Sequence, residues 1–340
     1  MKEVSTIGLD LAKSVFQLHG IDAQGQVVIR RTVRRSQMRS FFAKLPPCLI
    51  GMEACAGAHY WARELASVGH TVKLIPPAYA KAYVRRNKND AADAAAICEA
   101  VSRPSMRFVE VKTAEQQGAA ALHKVRALLI KQRTMMMNAL RGQMAEYGIV
   151  APEGPQHIGK LLAILDSPEE ESVLPKVLLP GLVALRQALS GLEQQCDAVD
   201  KQILAWAKAN ATARHLITAP GYGPITASAM AAIVTHPAAF RSGADFAASL
   251  GLVPRQDGTG GKVRLGPISK RGNGYLRRLL VNGAMAVLNS KRAKLDPWLV
   301  KLLAAKPRKV VAVALANKMA RIGWALMMRQ EDFRVTPAVA

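Results

Sequence analysis

Over the first hundred residues, short apolar runs alternate with helical periods. Val4–Leu9, Ser14–Ile21 and Gln26–Val33 are β-prone runs with brief connections, and the second connection, Asp22-Ala23-Gln24-Gly25, has a hairpin composition. A helical period over Ser36–Leu45 comes next, then a strand at Cys48–Met52, a helix from about Ala58 to Val68 and a strand at Thr71–Ile75. Another helix follows in Lys88-Asn89-Asp90-Ala91-Ala92-Asp93-Ala94-Ala95-Ala96-Ile97. Three antiparallel strands thus open a mixed α/β domain of order βββαβαβα. From Thr113 to Tyr147 the period is helical, with Leu122, Val125, Leu129, Met136 and Leu140 on one side and Lys124, Arg126, Lys131, Arg133 and Arg141 interspersed, a pattern that suits a core helix or a partner-binding one. Gly148–Pro155 and Asp166–Pro180 read as loops or short broken helices. Beyond them Leu182, Leu185, Leu189, Leu192, Cys196, Val199, Ile203 and Trp206 alternate steps of three and four. That is a heptad seam, open to the earlier helix or to another subunit.

The carboxylates carry the candidate chemistry. Asp90 and Asp93 sit three apart at a helix start and so point the same way. The bland reading is a solvated first turn in which Asp90 caps the helix and Asp93 complements its dipole. The strand pattern adds two more acids, because Asp10 is expected to close the first strand and Glu53 the fourth. The βββαβαβα order is that of the RNase H-like fold, whose hallmark is acids converging at strand ends. Asp10, Glu53, Asp90 and Asp93 would make an oxygen-only cage suited to Mg²⁺ or Mn²⁺. Two such ions would flank the attacking and leaving oxygens of a phosphodiester.

Charge points to the same substrate class. Among 340 residues, 47 Lys and Arg outweigh 24 Asp and Glu, a formal charge of +23 that makes a polyanion the natural partner. The basic residues cluster at Arg30–Arg35 (Arg34 and Arg35 included), Lys81–Lys88, Lys262–Arg278, Lys291–Lys294 and Lys306–Lys309. Aromatic residues, 5% of the chain, are not interleaved with these clusters in sequence, so phosphate contact is expected to outweigh base stacking. Four cysteines without a CxxC pair and seven histidines without HExxH indicate no zinc site and no disulfide framework. No membrane span and no signal peptide are expected, which predicts a cytoplasmic protein.

Three blocks, Gly8-Leu9-Asp10-Leu11-Ala12-Lys13, Gly51-Met52-Glu53-Ala54-Cys55 and Lys88-Asn89-Asp90-Ala91-Ala92-Asp93-Ala94, resemble the DEDD motifs of the IS110 family of insertion-sequence transposases. Cys98-Glu99-Ala100-Val101-Ser102-Arg103-Pro104 resembles its IS1111 subgroup. A second signature is similar to Leu250–Gln256, the glycine-rich loop Gly258-Thr259-Gly260-Gly261-Lys262 and Ile268–Asn273. The resemblance implies a RuvC-like domain at 1–112, a coiled-coil region at 113–212, a small helical transposase domain at 213–297, and C-terminal helices and tail at 298–340. It also implies metal-dependent cleavage and rejoining of donor and target DNA, a structured guide (bridge) RNA and a homo-oligomer, a dimer or tetramer. The oligomer favours an intersubunit role for the heptad seam.

The family's nucleophile is a serine in the glycine-rich loop, and the aligned hydroxyl here is that of Thr259, with Ser269 as the alternative and neither as a third outcome. Lys262, Arg264, Lys270 and Arg271 flank it as phosphate-holding candidates, and Lys88 lies beside the acids. The acids and the loop lie in different domains, so an active site shared between subunits is an expectation. Leu216–Ala227, with Gly221 and Gly223, resembles the turn of a helix-hairpin-helix that offers backbone N–H groups to phosphate, or is simply a tight interhelical turn. Gln256 stands where a Walker A motif requires glycine, which leaves a nucleotide-driven motor unsupported. Competing readings are a hydrolytic RuvC-like nuclease or junction resolvase, and a non-catalytic nucleic-acid scaffold. Near the C-terminus, Asp296-Pro297 should start a helix, a last helix should span about Lys309–Met328, and the final dozen residues read as a loose tail.

Overall fold

The computed structural model describes residues 3–80, 83, 90–167, 173–259, 262–291 and 296–334. The chain divides into two compact units, Met1–Gln116 and Gln117–Ala340.

In the first unit, β1 (Thr6–Leu11), β2 (Val15–Ile21), β3 (Val27–Arg34), β4 (Leu49–Glu53) and β5 (Thr71–Ile75) form a mixed sheet of order β3-β2-β1-β4-β5. Strands β1, β2 and β3 are antiparallel, while β4 and β5 run parallel to β1. The parallel pairs need crossovers, supplied by α1 (Met38–Phe42) and α2 (Ala58–Ser67). One sheet face buries Ile7, Leu9, Phe16, Leu18 and Val33 against Met38, Phe42, Trp61 and Leu65 of these helices. After the short α3 (Pro77–Ala80), α4 (Asp90–Val101) covers the other face. The helix expected over Ser36–Leu45 is a 3-10 turn at Arg35–Gln37 plus one short α-helix. Asp10 is followed by Leu11 inside β1, so the strand runs one residue past the acid expected to close it.

The second unit is helical apart from one hairpin, among the described residues. Helix α5 (Ala114–Ala145) starts with a reciprocal cap, in which the Thr113 hydroxyl accepts from the Gln116 N–H and the Gln116 amide oxygen accepts from the Thr113 N–H, both at 3.1 Å. Helices α6 (Ile158–Ile164) and α7 (Leu179–Ala209) follow. Leu182, Leu189, Cys196 and Ile203, spaced by seven, are buried within the chain, and Leu182 and Leu189 share an apolar cluster with Met137, Leu140 and Met144 of α5. Further along, Arg126 of α5 forms a bidentate pair with Asp200 of α7, so the two helices run antiparallel. This corrects the intersubunit leaning, because the chain's own helix fills the seam at these positions.

Helices α8 (Ala211–Ile217), α9 (Pro224–Ile233), α10 (Gly243–Ser249), α11 (Gly274–Asn289), α12 (Pro297–Ala305) and α13 (Arg308–Arg329) surround the second unit's largest core. Helix α13 is long and apolar enough to cross a membrane, but 50% of its apolar window is buried, with Leu315, Ala316 and Met319 in that core. Asp296 caps α12 as expected, accepting from the Trp298 and Leu299 N–H groups. The expected loose tail is anchored as far as it is described. Asp332 lies 2.8 Å from His215 Nδ1, and the Phe333 N–H donates to the Thr218 hydroxyl at 2.8 Å. A buried polar chain ties α5, α9 and α11, with His123 Nδ1 3.0 Å from the Tyr275 hydroxyl and its Nε2 3.0 Å from the Ser228 hydroxyl. Burial first, and then the Arg126 charge, push the His123 pKa down to about 4.

The domain read as small and helical also holds a two-stranded sheet, β6 (Pro254–Thr259) and β7 (Lys262–Ile268), whose strands take in Gly258, Thr259 and Lys262 of the expected glycine-rich loop. β-branched Val263 and Ile268 together with Leu265 favour the extended form. Gly260 and Gly261 themselves lie outside the described residues.

Candidate metal centre and nucleic-acid surfaces

The acids are brought together by glycines. Gly8 and Gly51 are register neighbours on the parallel strands β1 and β4, and each precedes an acid by two residues on the same face. A Cβ on Gly8 would sit 2.0 Å from the Ala94 carbonyl oxygen and 2.4 Å from the Cys98 nitrogen, and one on Gly51 would sit 2.7 Å from Val101 Cβ. Helix α4 therefore settles directly on the backbone of the sheet, helped by its small Ala94 and by Cys98, whose thiol donates to the Thr6 carbonyl. That placement delivers the start of α4 to the carboxyl ends of β1 and β4. One carboxylate oxygen each from Asp10, Asp90 and Asp93 lies within 4.8 Å of the others. Glu53 ends β4 beside Asp10, one step beyond the Leu9–Met52 pair.

Electrostatics shows the same convergence. The Asp10 carboxyl is raised from 3.8 to about 6, by burial first and then by the charges of Asp90, Asp93 and Glu53, while the Leu11 backbone N–H pulls the other way. The Cys55 thiol is raised by burial and by Glu53 and Asp10, which keeps it protonated next to the acids. Three clustered carboxylates with Glu53 alongside, and among the described residues neither histidine nor cysteine in the cluster, fit a hard divalent cation, which would offset the part of the Asp10 shift that comes from repulsion. The α4 dipole favours Asp90 and Asp93 in its first turn but leaves the mutual repulsion in place.

The other candidates are dispersed. Arg34 and Arg35 line a cavity of about 640 Å³ with Lys13, Tyr60 and Trp61. The Arg35 guanidinium lies 5.4 Å from the Trp61 ring centroid and donates to the Lys13 carbonyl at 3.3 Å. Basic and aromatic side chains interleave here after all, because β3 and α2, far apart in sequence, meet in the fold. Lys88 lies outside the described residues. Gly221 adopts φ 80° in the turn between α8 and α9, and a Cβ there would strike Met319 at 2.6 Å. The left-handed backbone is what favours glycine there, since Met319 could swing aside, whereas Gly223 is exposed at the start of α9.

Thr259 is the last residue of β6, and its backbone pairs with Lys262 at the hairpin tip. Lys262 and Arg264 are exposed on the hairpin, and Lys270 and Arg271 are exposed at its root. That root is clamped. The Arg277 guanidinium donates to the Leu250 and Arg271 carbonyls at 2.8 Å, and a Cβ on Gly251 or Gly272 would overlap backbone of the opposing segment. Lys270 takes φ 54° in this knot, a left-handed conformation unusual for lysine. Ser269 sits at the root, its hydroxyl 3.5 Å from the Arg271 nitrogen. The acids belong to the first compact unit and the hairpin to the second.

A family model described as "Transposase", for the DEDD class of IS110, matches residues 7–149, and one described as "Transposase IS116/IS110/IS902 family" matches residues 213–297. The chain is 49% identical to a "Probable family 20 transposase" of Pseudomonas aeruginosa, over 97% of this chain and 99% of the relative. It is 42% identical to the transposase for insertion sequence element IS1328 of Yersinia enterocolitica, over 95% of this chain and 97% of the relative. It is also 41% identical to the transposase for insertion sequence element IS1111A of Coxiella burnetii, over 98% of this chain and 92% of the relative. The protein belongs to the IS116/IS110/IS902 family of transposases, enzymes that act on DNA to move insertion sequences.

Proposed function

We propose that the protein is a site-specific DNA recombinase that cleaves and rejoins strands by metal-dependent transesterification. The observation that carries this reading is the convergence of Asp10, Asp90 and Asp93, with Glu53 alongside, on the face that α4 covers. The strand order β3-β2-β1-β4-β5, antiparallel and then parallel, supports an RNase H-like, RuvC-like assignment for residues 1–112. The antiparallel α5–α7 pair supports a coiled-coil reading of 113–212, followed by a transposase domain at 213–297 and C-terminal helices at 298–340.

Asp10, Glu53, Asp90 and Asp93 would hold Mg²⁺ or Mn²⁺. When bound, a divalent cation of this kind supplies charge stabilisation at the phosphoryl oxygens and lowers the pKa of a coordinated hydroxyl. In our reading the Thr259 hydroxyl attacks phosphorus, a P–O bond to the neighbouring nucleotide breaks, and a phosphothreonyl ester retains the linkage energy, so the strand is rejoined without ATP. Lys262, Arg264, Lys270 and Arg271 would hold the phosphate. The clamped root of the β6–β7 hairpin, with Gly258 and Lys262 exposed at its far end, suits an arm that presents Thr259. The protein's net charge of +23 supports binding of both DNA and a structured guide RNA. Assembly as a dimer or tetramer, with acids and hairpin drawn from different subunits, would make cleavage wait for synapsis.

The test traps the reaction on labelled DNA, digests the protein and locates the modified residue by mass spectrometry. An adduct at Thr259 that Thr259→Ala removes, together with activity retained in Thr259→Ser, supports the reading. Full recombination by Thr259→Ala assigns the attack to Ser269 or to water.

A further inference from the structure

The sheet row that holds the acids does not end at Asp10. Across the antiparallel strands Asp10 is in register with Gln17, and Gln17 with Thr32, whose hydroxyl donates to the Gln17 amide oxygen at 2.9 Å. One row back, Gly8 is in register with His19, and His19 with Arg30. Strand alternation places Gln17, His19, Arg30 and Thr32 on the face that Gly8 presents to α4. Helix α4 packs on β1, β2 and β4, and at its Ala91, Ala92 and Ala95 side the outer part of this face lines a cavity of about 440 Å³. The space continues past His19 into a second cavity of about 580 Å³ that reaches Arg103.

The chemistry of the groove is one-sided. Its helix wall is made of methyl groups, small enough to admit a sugar, and its sheet wall carries Gln17, Thr32, His19 and the arginines Arg30 and Arg31. Burial first, and then the Arg30 charge, lower the His19 pKa, so His19 enters as a neutral hydrogen-bonding group. The exposed Arg30 guanidinium makes no ion pair or hydrogen bond among the described residues. Glu99, the acid in the adjoining cavity, is already paired with Arg103 at 2.6 Å. A free cation and a neutral polar floor, leading away from a cluster of acids, complement a nucleic-acid backbone and not a carboxylate or a cation.

We propose that this groove seats the nucleotide next to the scissile phosphodiester, with Arg30 holding the adjacent phosphate and Gln17 and Thr32 contacting the intervening sugar. The inference rests on the acids being the cleavage site. It makes Arg30, Gln17 and Thr32 substrate-binding residues that hold the strand beside Asp10, Asp90 and Asp93. A guanidinium on a phosphate is a charge-assisted contact whose removal costs about ten-fold in affinity.

The experiment uses the full-length protein with the RNA that co-purifies with it, and synthetic duplexes spanning the element's own terminus. Single uncharged methylphosphonate linkages are placed one, two or three phosphates from the cleaved bond, on either side. With wild-type protein, one position should raise KM about ten-fold with kcat preserved. Arg30→Ala should raise KM by a similar factor on unmodified DNA, and the same methylphosphonate should then cost nothing more. Arg30→Lys should recover part of the loss. If every methylphosphonate costs Arg30→Ala as much as wild type, or if Arg30→Ala leaves KM unchanged, the groove assignment is overturned. Asp10→Asn on unmodified DNA tests the acids separately. Cleavage by that variant removes the underlying reading, whereas its loss alongside an unaffected Arg30→Ala removes only the groove.

Discussion

Asp10→Asn should stabilise the metal-free protein while destroying its activity. The Asp10 carboxyl is raised from 3.8 to about 6 by burial and by its three acidic neighbours. The native state then binds the Asp10 proton more tightly than the unfolded chain does, so stability falls as pH rises from about 4 to about 6 and stays reduced above that. Two pKa units correspond to about 3 kcal/mol, and because the side chain is only half-buried, solvent screening reduces this to roughly 1–2 kcal/mol. Asparagine keeps the shape and carries no charge, so at pH 7.5 the variant should unfold several degrees higher, about 5 °C for a unit of this size. Below pH 4 the carboxyl is protonated in both states and the advantage should vanish. Added Mg²⁺ should invert the ranking, because the wild type gains binding energy at the acids and the variant gains less. The assay is thermal unfolding between pH 3.5 and 8, in chelator and then in excess Mg²⁺, alongside cleavage of labelled DNA. A variant less stable than wild type at pH 7.5 in chelator, or a difference that does not change with pH, would refute the electrostatic argument.

Other outcomes follow from the same geometry. Asp90→Asn and Glu53→Gln should each abolish cleavage with nucleic-acid binding nearly intact, since binding is carried by the basic surface; a gel-shift and a cleavage assay on one preparation separate the two. Gly8→Ala should cost about 3 kcal/mol or more and also lose cleavage, because the new methyl would push α4 off β1 and carry Asp90 and Asp93 away from Asp10; an unchanged melting temperature would contradict this. Leu189→Asp places a charge in the cluster between α5 and α7 and should cost about 4 kcal/mol by unfolding that region, whereas a folded variant of lower oligomer mass would return the seam to a subunit interface. His123, with its pKa lowered to about 4, charges more readily in the unfolded chain, so stability should fall by at most about 3 kcal/mol as pH drops from 6.5 to 4; His123→Gln should flatten that slope in a chemical denaturation series.

Local periodicity and residue chemistry were sufficient for much of the first unit. The strand at Thr71–Ile75 and the helix starting near Asp90 are where alternation and alanine content put them, since both signals depend only on neighbours in sequence. The four acids could be picked out because each stands near the end of an apolar strand or opens a helix, and Gly8 and Gly51 stood two residues before Asp10 and Glu53 in plain view. What those glycines do was not legible, because the approach of α4 to within a missing methyl of the sheet is a property of two surfaces and of neither sequence alone.

The hairpin at 254–268 was hidden for a related reason. A glycine-rich stretch reads as flexibility until its flanks are found to pair, Gly258 with Val263 and Thr259 with Lys262. The heptad seam announced a partner but not its identity, because a seven-residue repeat specifies a helix face, and only tertiary packing decided that α5 fills it at Leu182 and Leu189. The row Asp10–Gln17–Thr32 likewise exists only through strand register, which long-range pairing sets. Residue types and short spacings thus determined which chemistry the protein could attempt, and the packing of helix on sheet and strand on strand decided which of those residues stand together.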